Sequence, residues 1–268
     1  MFQPVRTYGE TAMTRPLRTT LARTTICLAL ALAGVALTLP TTEARTGRAA
    51  ADTTAPVATT IGGAVSATLS TRVPLKYRAT DSGSGVAYYD VRLVKGGYGK
   101  AIGAWTRPAA YQHLTTTSVQ SPSISLGQTL CFSVRAADKA HNLGAWSARR
   151  CITRALDDTA ATGASGWTTR SRTDFYRGSA RVTSKQGATL RFGAQSSRYL
   201  GVVAQTCSSC GRVGIYASGE LIGTIDLRSA TTRNRQYKYL LVGGTGPVAV
   251  KVLSSGRHVV IDGLLSLR

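Results

Sequence analysis

From residue 52 to the end of the chain, apolar and polar residues alternate over short runs broken by Gly, Ser, Asn and Asp. A period of two belongs to strands whose two faces differ, because successive side chains leave the pleat on opposite sides. In TLCFSVRAAD, Leu130, Phe132, Val134 and Ala136 fall on one side, and Cys131, Ser133 and Arg135 on the other. The same alternation marks Leu190 and Phe192, then Leu221, Gly223, Ile225 and Leu227, then Val248, Val250 and Val252. The pattern predicts strands over 65–70, 73–79, 86–94, 118–126, 129–137 and 145–152 in a first block. A second block reads as strands over 179–184, 187–193, 198–206, 211–217, 220–227, 236–243, 247–253 and 258–267. Eight strands in about 100 residues suit a jelly-roll-like sandwich. Between the blocks, LDDTAATGAS (156–165) is small and polar and reads as a flexible linker. No convincing helical period occurs after residue 52.

Residues 13–51 follow a different pattern. Arg15, Arg18 and Arg23 precede the apolar run ICLALALAGVALTL (26–39), which Pro40 ends before a stretch of small residues. This is the layout of a secretory signal peptide over 13–44. The run is short against the ~20 apolar residues of a spanning helix, so cleavage is favoured over an uncleaved anchor. Cleavage after Ala44 and after Ala51 both fit, and the twelve preceding residues point to translation starting at Met13. Cys27 opens the apolar run, where no lipid-accepting cysteine would stand. The expected location is extracellular.

Export changes how the cysteines are read. Cys131, Cys151, Cys207 and Cys210 remain, and an even number in an oxidising compartment suggests two disulfides among three pairings. Folding 129–137 and 145–152 as an antiparallel hairpin across the KAHN turn (139–142) sets Cys131 opposite Cys151 on the outer face. Cys207-Ser-Ser-Cys210 lies between two strands, whereas a redox pair favours a helix N-terminus and zinc needs two more ligands. A structural disulfide pinning the turn is expected, with Gly211 at positive φ.

Several stretches are familiar. DTTAP (52–56), ATDSGSGVAYYDVR (79–92), CFSVRAADKAHN (131–142) and AWS (145–147) resemble the fibronectin type III or immunoglobulin-like modules of secreted actinobacterial proteins. His141 stands where those modules carry Gly. The resemblance covers 52–155 and implies a spacer or binding role. The second module, 166–268, resembles one that follows it in such proteins, without an assigned function. The resemblance rests on GWTTRSRTDFYRGSARVTSKQGATL (166–190), CSSCGRVGIYASGELIGTIDLRSATTRNRQ (207–236) and VKVLSSGRHVVIDGL (250–264). An opening Trp, a Tyr-Arg-Gly step and a late Ile-Asp strand are also similar to carbohydrate-binding jelly rolls. The fold expected is therefore all-β, a fibronectin type III/Ig-like sandwich followed by a jelly-roll-like one.

Charge comes next. The 268 residues carry a formal +21, and the part from residue 52 holds 27 basic against 10 acidic residues. Residues 159–268 hold 15 against 4, so the charge is concentrated C-terminally. Arg228, Arg233, Arg235 and Lys238, interleaved with Tyr237 and Tyr239, form a candidate polymer-binding patch by charge and stacking. Outside the cytoplasm the fitting partners are envelope or environmental polyanions and glycans, not a genome; the plainer reading is a solvated Arg-rich strand. Trp167, Tyr176, Tyr199 and Tyr216 are candidate glycan-stacking rings, while Trp105 and Trp146 read as core. Asp262 resembles the late acidic residue with which some jelly rolls hold a structural Ca²⁺. The plainer reading there is a solvent-facing strand carboxylate, with no metal and no cofactor.

Catalytic signals are thin. The nearest approach to a Gly-x-Ser-x-Gly elbow is SGSG (82–85), a turn, and His113, His141 and His258 fall in different elements. No catalytic residue is assigned. The expectation is a non-catalytic binding protein; the alternatives are a structural or protein-interaction module and, third, an accessory hydrolase.

Overall fold

The computed structural model describes residues 51–63 and 65–268; the leader read over 13–44 lies outside the described residues. Antiparallel sheets account for nearly all of the regular structure, and the only helical turns among the described residues are three-residue 3-10 turns. Strands β1 (Val57–Thr60), β3 (Pro74–Thr80) and β5 (Ser118–Gln120) form a three-stranded sheet in the order β1-β3-β5. A four-stranded sheet holds β2 (Val65–Thr68), β4 (Val86–Gly96), β6 (Thr129–Asp138) and β7 (Arg150–Arg154) in the order β2-β7-β6-β4. All these pairs are antiparallel except β2 with β7. Leu130, Phe132, Val134 and Ala136 of β6, each 0% exposed, meet Leu75 and Tyr77 of β3 in the core between the sheets. The period-two reading of β6 holds residue by residue.

The second sandwich has a six-stranded and a five-stranded sheet. The first comprises β8 (Leu156–Asp157), β10 (Thr168–Ser171), β11 (Ser179–Thr183), β13 (Tyr199–Thr206), β16 (Arg233–Tyr239) and β18 (Val259–Leu267). The second comprises β9 (Gly163–Ser165), β12 (Thr189–Ser197), β14 (Arg212–Ala217), β15 (Glu220–Asp226) and β17 (Gly244–Val252). Leu190, Phe192, Ile215 and Val250 of the five-stranded sheet bury themselves against Leu200, Val202 and Ile261 of the other.

Some boundaries differ from the sequence reading, each for a local reason. The strand expected over 118–126 stops at Gln120, because Ser121 turns its hydroxyl to the Val73 N–H and Pro122 has no N–H to give. The strand expected from 145 begins at Arg150; the Ser147 N–H still donates to the Val134 carbonyl, but its hydroxyl takes the Val134 N–H, so a side chain replaces one half of the ladder pair there. The strand expected over 236–243 runs over Arg233–Tyr239, since an edge strand needs no continuous apolar face. The stretch read as a flexible linker, 156–165, is built into the second sandwich. Leu156–Asp157 pairs with Gly263–Leu264, and Gly163–Ser165 pairs with Thr189–Arg191. Gly263 makes the first pairing possible, because a Cβ there would run into the Leu156 carbonyl.

Both disulfides form. Cys131 lies directly opposite Cys151 in the β6–β7 register, 20 residues apart in sequence. The bridge lies on the face turned away from the Phe132 core, as expected, and is buried there beside Val94 and the loop residue Ile102. Cys207–Cys210 closes the β13–β14 connection, with the Cys210 N–H donating to the Cys207 carbonyl. Gly211 does not take positive φ as expected; its lack of a Cβ instead admits the Ser254 hydroxyl and Arg257. His141 takes φ +69, so the turn keeps the left-handed geometry for which Gly is the usual residue. Trp105 and Trp146 are not core. Trp105 is 37% exposed and Trp146 half-buried, with Arg92 stacked between them at 4.4 and 4.6 Å.

Candidate functional site: a groove between the sandwiches

The outer face of the six-stranded sheet is apolar where it meets the first sandwich. Val203 of β13 and Leu265 and Leu267 of β18 pack with Val65 and Ala67 of β2 and with Leu69. Arg154, 8% exposed, ties this junction: its guanidinium donates to the Leu69 carbonyl at 3.2 Å, the Ile124 carbonyl at 3.1 Å and the Tyr176 hydroxyl at 3.1 Å. The Tyr98 hydroxyl donates to the Gly193 carbonyl at 2.8 Å across the same junction, and burial pushes its phenol up to about 12. Arg268 donates to the Lys100 carbonyl.

Two adjoining concavities remain beside these contacts, both bordered by Val65 and Arg198. One, of about 460 Å³, is lined by Tyr199, Tyr237, Tyr239 and Leu267 facing Val65 and Ala67. The other, of about 720 Å³, is lined by Lys100, Arg149, Arg198 and Arg268 with Ser196 and Ser197. Tyr239 is 49% and Tyr237 40% exposed, and the Tyr199 and Tyr239 rings stand 6.5 Å apart at 42°. Burial raises the Tyr237 phenol above its ordinary range. The Arg198 guanidinium lies 5.4 Å from the Tyr199 ring, linking the aromatic and cationic parts.

The six residues expected to form one polymer-binding patch do not stand together. Tyr237 and Tyr239 line the groove. Lys238, between them on the strand, points to the opposite face of the sheet. Arg228 is held by Asp226 at 2.7 Å. Arg235, at φ +54, caps the Thr173 and Phe175 carbonyls at 2.9 and 2.6 Å. Arg233 is exposed and has no ion pair among the described residues.

Of the four expected stacking rings, two are core and are corrected. Trp167, 8% exposed, belongs to the core of the second sandwich, and Tyr176, 5% exposed, to the junction with the first. Tyr199 is in the groove. Tyr216 lines a separate concavity of about 560 Å³ on the five-stranded sheet, near Arg191 and Lys251. The sequence reading missed Lys100, Arg149, Arg198 and Arg268, which lie far apart along the chain.

Asp262 is not the solvent-facing carboxylate expected. It is 1% exposed, both its oxygens accept the Tyr176 N–H at 2.9 and 2.8 Å, and burial pushes its carboxyl up to about 7. Nearby, Arg181 lies 3.2 Å from Asp158 and Arg177 3.7 Å from Asp157, and burial raises the Asp158 carboxyl. Arg177 and Arg181 thus supply countercharge to Asp157 and Asp158, whose Oδ2 atoms are buried without a hydrogen bond. Asp52, Asp81 and Asp138 also converge, within 4.8 Å of one another. They accept turn N–H groups of Ser84, Gly83, Gly85 and Asn142, and the Ser84 N–H above all holds Asp52 at about 2. His113, His141 and His258 lie on three separate segments.

The chain matches no family model and no curated protein. Among solved structures it is similar to a β-1,3-glucan binding CBM6 from Bacillus halodurans at 15% identity and a TM-score of 0.33, over 42% of this chain and 93% of that one. A glycoside hydrolase family 43 arabinoxylan arabinofuranohydrolase from Bacillus subtilis shows 9% identity and a TM-score of 0.35, over 70% of this chain and 52% of that one. An α-L-rhamnosidase from Dictyoglumus thermophilum shows 10% identity and a TM-score of 0.37, over 79% of this chain and 28% of that one. The chain thus spans 52% and 28% of the lengths of these two enzymes.

Proposed function

We propose that the protein is an exported, non-catalytic binding protein that takes a glycan in the tyrosine groove between its two sandwiches. On this reading residues 52–155 are a fibronectin type III/Ig-like module and 166–268 a jelly-roll-like one, and the ligand lies across their junction. The observation that carries it is the placement of Tyr199, Tyr237 and Tyr239 along one open groove. A tyrosine ring is flat, rigid and apolar on its face with a polar tip, so it can stack on the C–H face of a sugar and still hydrogen-bond a hydroxyl. The two disulfides are consistent with an extracellular setting.

The test is calorimetric titration of the whole chain with a panel of neutral and acidic oligosaccharides, repeated with Tyr239→Ala and Tyr199→Ala. A tenfold or greater loss of affinity in each variant, with unchanged folding by circular dichroism, is the expected result. Binding that neither substitution alters overturns the assignment of the groove.

A further inference from the structure

The cationic concavity beside the tyrosine groove gives that reading a narrower form. Lys100 comes from the β4–β5 loop and Arg149 from the segment before β7, both on the first sandwich. Arg198, between β12 and β13, and Arg268, at the end of β18, belong to the second. No Asp or Glu lines the concavity, and among the described residues none of the four cations makes an ion pair. Lys100, Arg149 and Arg198 are exposed, while Arg268 is half-buried and burial lowers its guanidinium pKa.

Four like charges around one hollow repel one another in the free protein, and among the described residues only Arg268 of the four side chains gives its charge to a protein acceptor, the Lys100 carbonyl. An anion entering the hollow relieves that repulsion and meets several donors at once, with guanidinium forks suited to carboxylate and phosphate oxygens. Ser196 and Ser197 also line the hollow. Arg198 and Val65 border both concavities, so a chain lying on the tyrosines continues directly into the cations.

We infer that Lys100, Arg149, Arg198 and Arg268 form an acid-group subsite, and that the ligand is an anionic glycan whose carboxylate or phosphodiester sits there while a sugar ring stacks on Tyr199, Tyr237 or Tyr239. This rests on the glycan reading of the groove. It involves neither Arg228, which Asp226 already neutralises, nor Arg235, which does not line the concavity.

Three probes test it with the whole chain at low and at moderate salt. They are an oligogalacturonate, its full methyl ester as the neutral twin, and a phosphodiester-linked oligosaccharide of hexose units. The double variant Lys100→Gln/Arg149→Gln is compared with the parent, because both side chains are exposed and neither makes an ion pair. At least one anionic probe should bind the parent tenfold or more tighter than the methyl ester, with the preference shrinking as salt rises. The double variant should lose most of that preference and keep its affinity for the ester. Which anionic probe gains tells carboxylate from phosphodiester. The subsite is overturned if neither anion outbinds the ester, or if the preference survives the double substitution. Ester binding lost in Tyr239→Ala would then leave the glycan reading standing without the subsite. Affinity for the anion and for the ester both untouched by Tyr239→Ala, with the anion preference present, would leave the subsite standing and remove the tyrosine.

Discussion

Arg154 donates its Nε hydrogen to the Tyr176 hydroxyl at 3.1 Å, joining the last strand of one sandwich to a turn of the other. Both residues are buried, and the other acceptors of this guanidinium are backbone carbonyls of Leu69 and Ile124. A buried cation held by neutral acceptors depends on every one of them, because each lost hydrogen bond leaves desolvated charge uncompensated. Tyr176→Phe should cost about 1.5–3 kcal/mol, the worth of one hydrogen bond to a charged group. Arg154→Lys should cost more, since a single ammonium cannot reach three acceptors in the fork geometry. Chemical denaturation of the three proteins measures this; a Lys variant as stable as the parent would show the acceptors are dispensable.

The Tyr176 backbone also touches a group whose burial makes stability depend on pH. Its N–H is shared by both oxygens of Asp262, whose carboxyl burial pushes up to about 7 against 3.8 for an ordinary Asp. The folded state therefore holds the proton more tightly than the unfolded chain. The stabilisation this gives is complete below about 3.8 and disappears as pH rises through about 7. Asp262→Asn keeps an acceptor for the Tyr176 N–H but cannot ionise. The stability of the Asn variant relative to the parent should rise between pH 4 and pH 7 and level off above. Asp52, held near 2, loses its contribution only below that window and is common to both proteins. A difference that is flat from pH 4 to 8 would contradict the buried, protonated reading of Asp262.

The two disulfides should differ in worth. Cys131–Cys151 closes 20 residues and Cys207–Cys210 only three. Chain-entropy arithmetic gives about 3 kcal/mol for the first and about 2 for the second. Paired Cys→Ala substitution followed by thermal unfolding should therefore show the larger loss for the 131/151 pair. The reverse order would mean that the turn clasp acts through the native state, where both its cysteines join the core of the second sandwich.

How much of this was legible depended on whether a signal was local. The β6 face and the Cys131–Cys151 register followed from alternation along one hairpin. β10, by contrast, is exposed at all four positions of Thr168–Ser171 and has no apolar period to detect. β8 pairs only because Gly263, more than 100 residues away, lets the Leu156 carbonyl approach. For the site, Tyr237 and Tyr239 were visible as neighbours on one strand. Lys100 and Arg268 are 168 residues apart, and only docking of the two sandwiches brings them to one hollow. Trp167 and Tyr176 misled in the opposite direction: ring chemistry was legible, but burial is a tertiary property.

Trp105 and Trp146 misled in that same way, and their actual arrangement yields the last prediction. Arg92 and Arg135 project from adjacent strands β4 and β6 on the face away from the first core, with Arg92 opposite Ser133 and Arg135 opposite Asp90 in register. Trp146 takes Arg92 at 4.6 Å and Arg135 at 4.7 Å, while Trp105 stacks on Arg92 at 4.4 Å. The Arg92 Nε is buried without a hydrogen-bond partner, so the ring faces supply its compensation. Arg135 is also anchored by Asp90 at 2.9 Å and depends on Trp146 less. Trp146→Ala removes two cation–π contacts and Trp105→Ala one, at about 0.5–1 kcal/mol each where partly exposed. The expected order of destabilisation is therefore Trp146→Ala above Trp105→Ala. In an Arg92→Met background the cost of Trp105→Ala should shrink toward that of its apolar contacts, while Trp146→Ala keeps the share owed to Arg135. A double-mutant cycle by denaturant unfolding reads these couplings, and zero coupling between Arg92 and both tryptophans would show that the stacked geometry contributes nothing to stability.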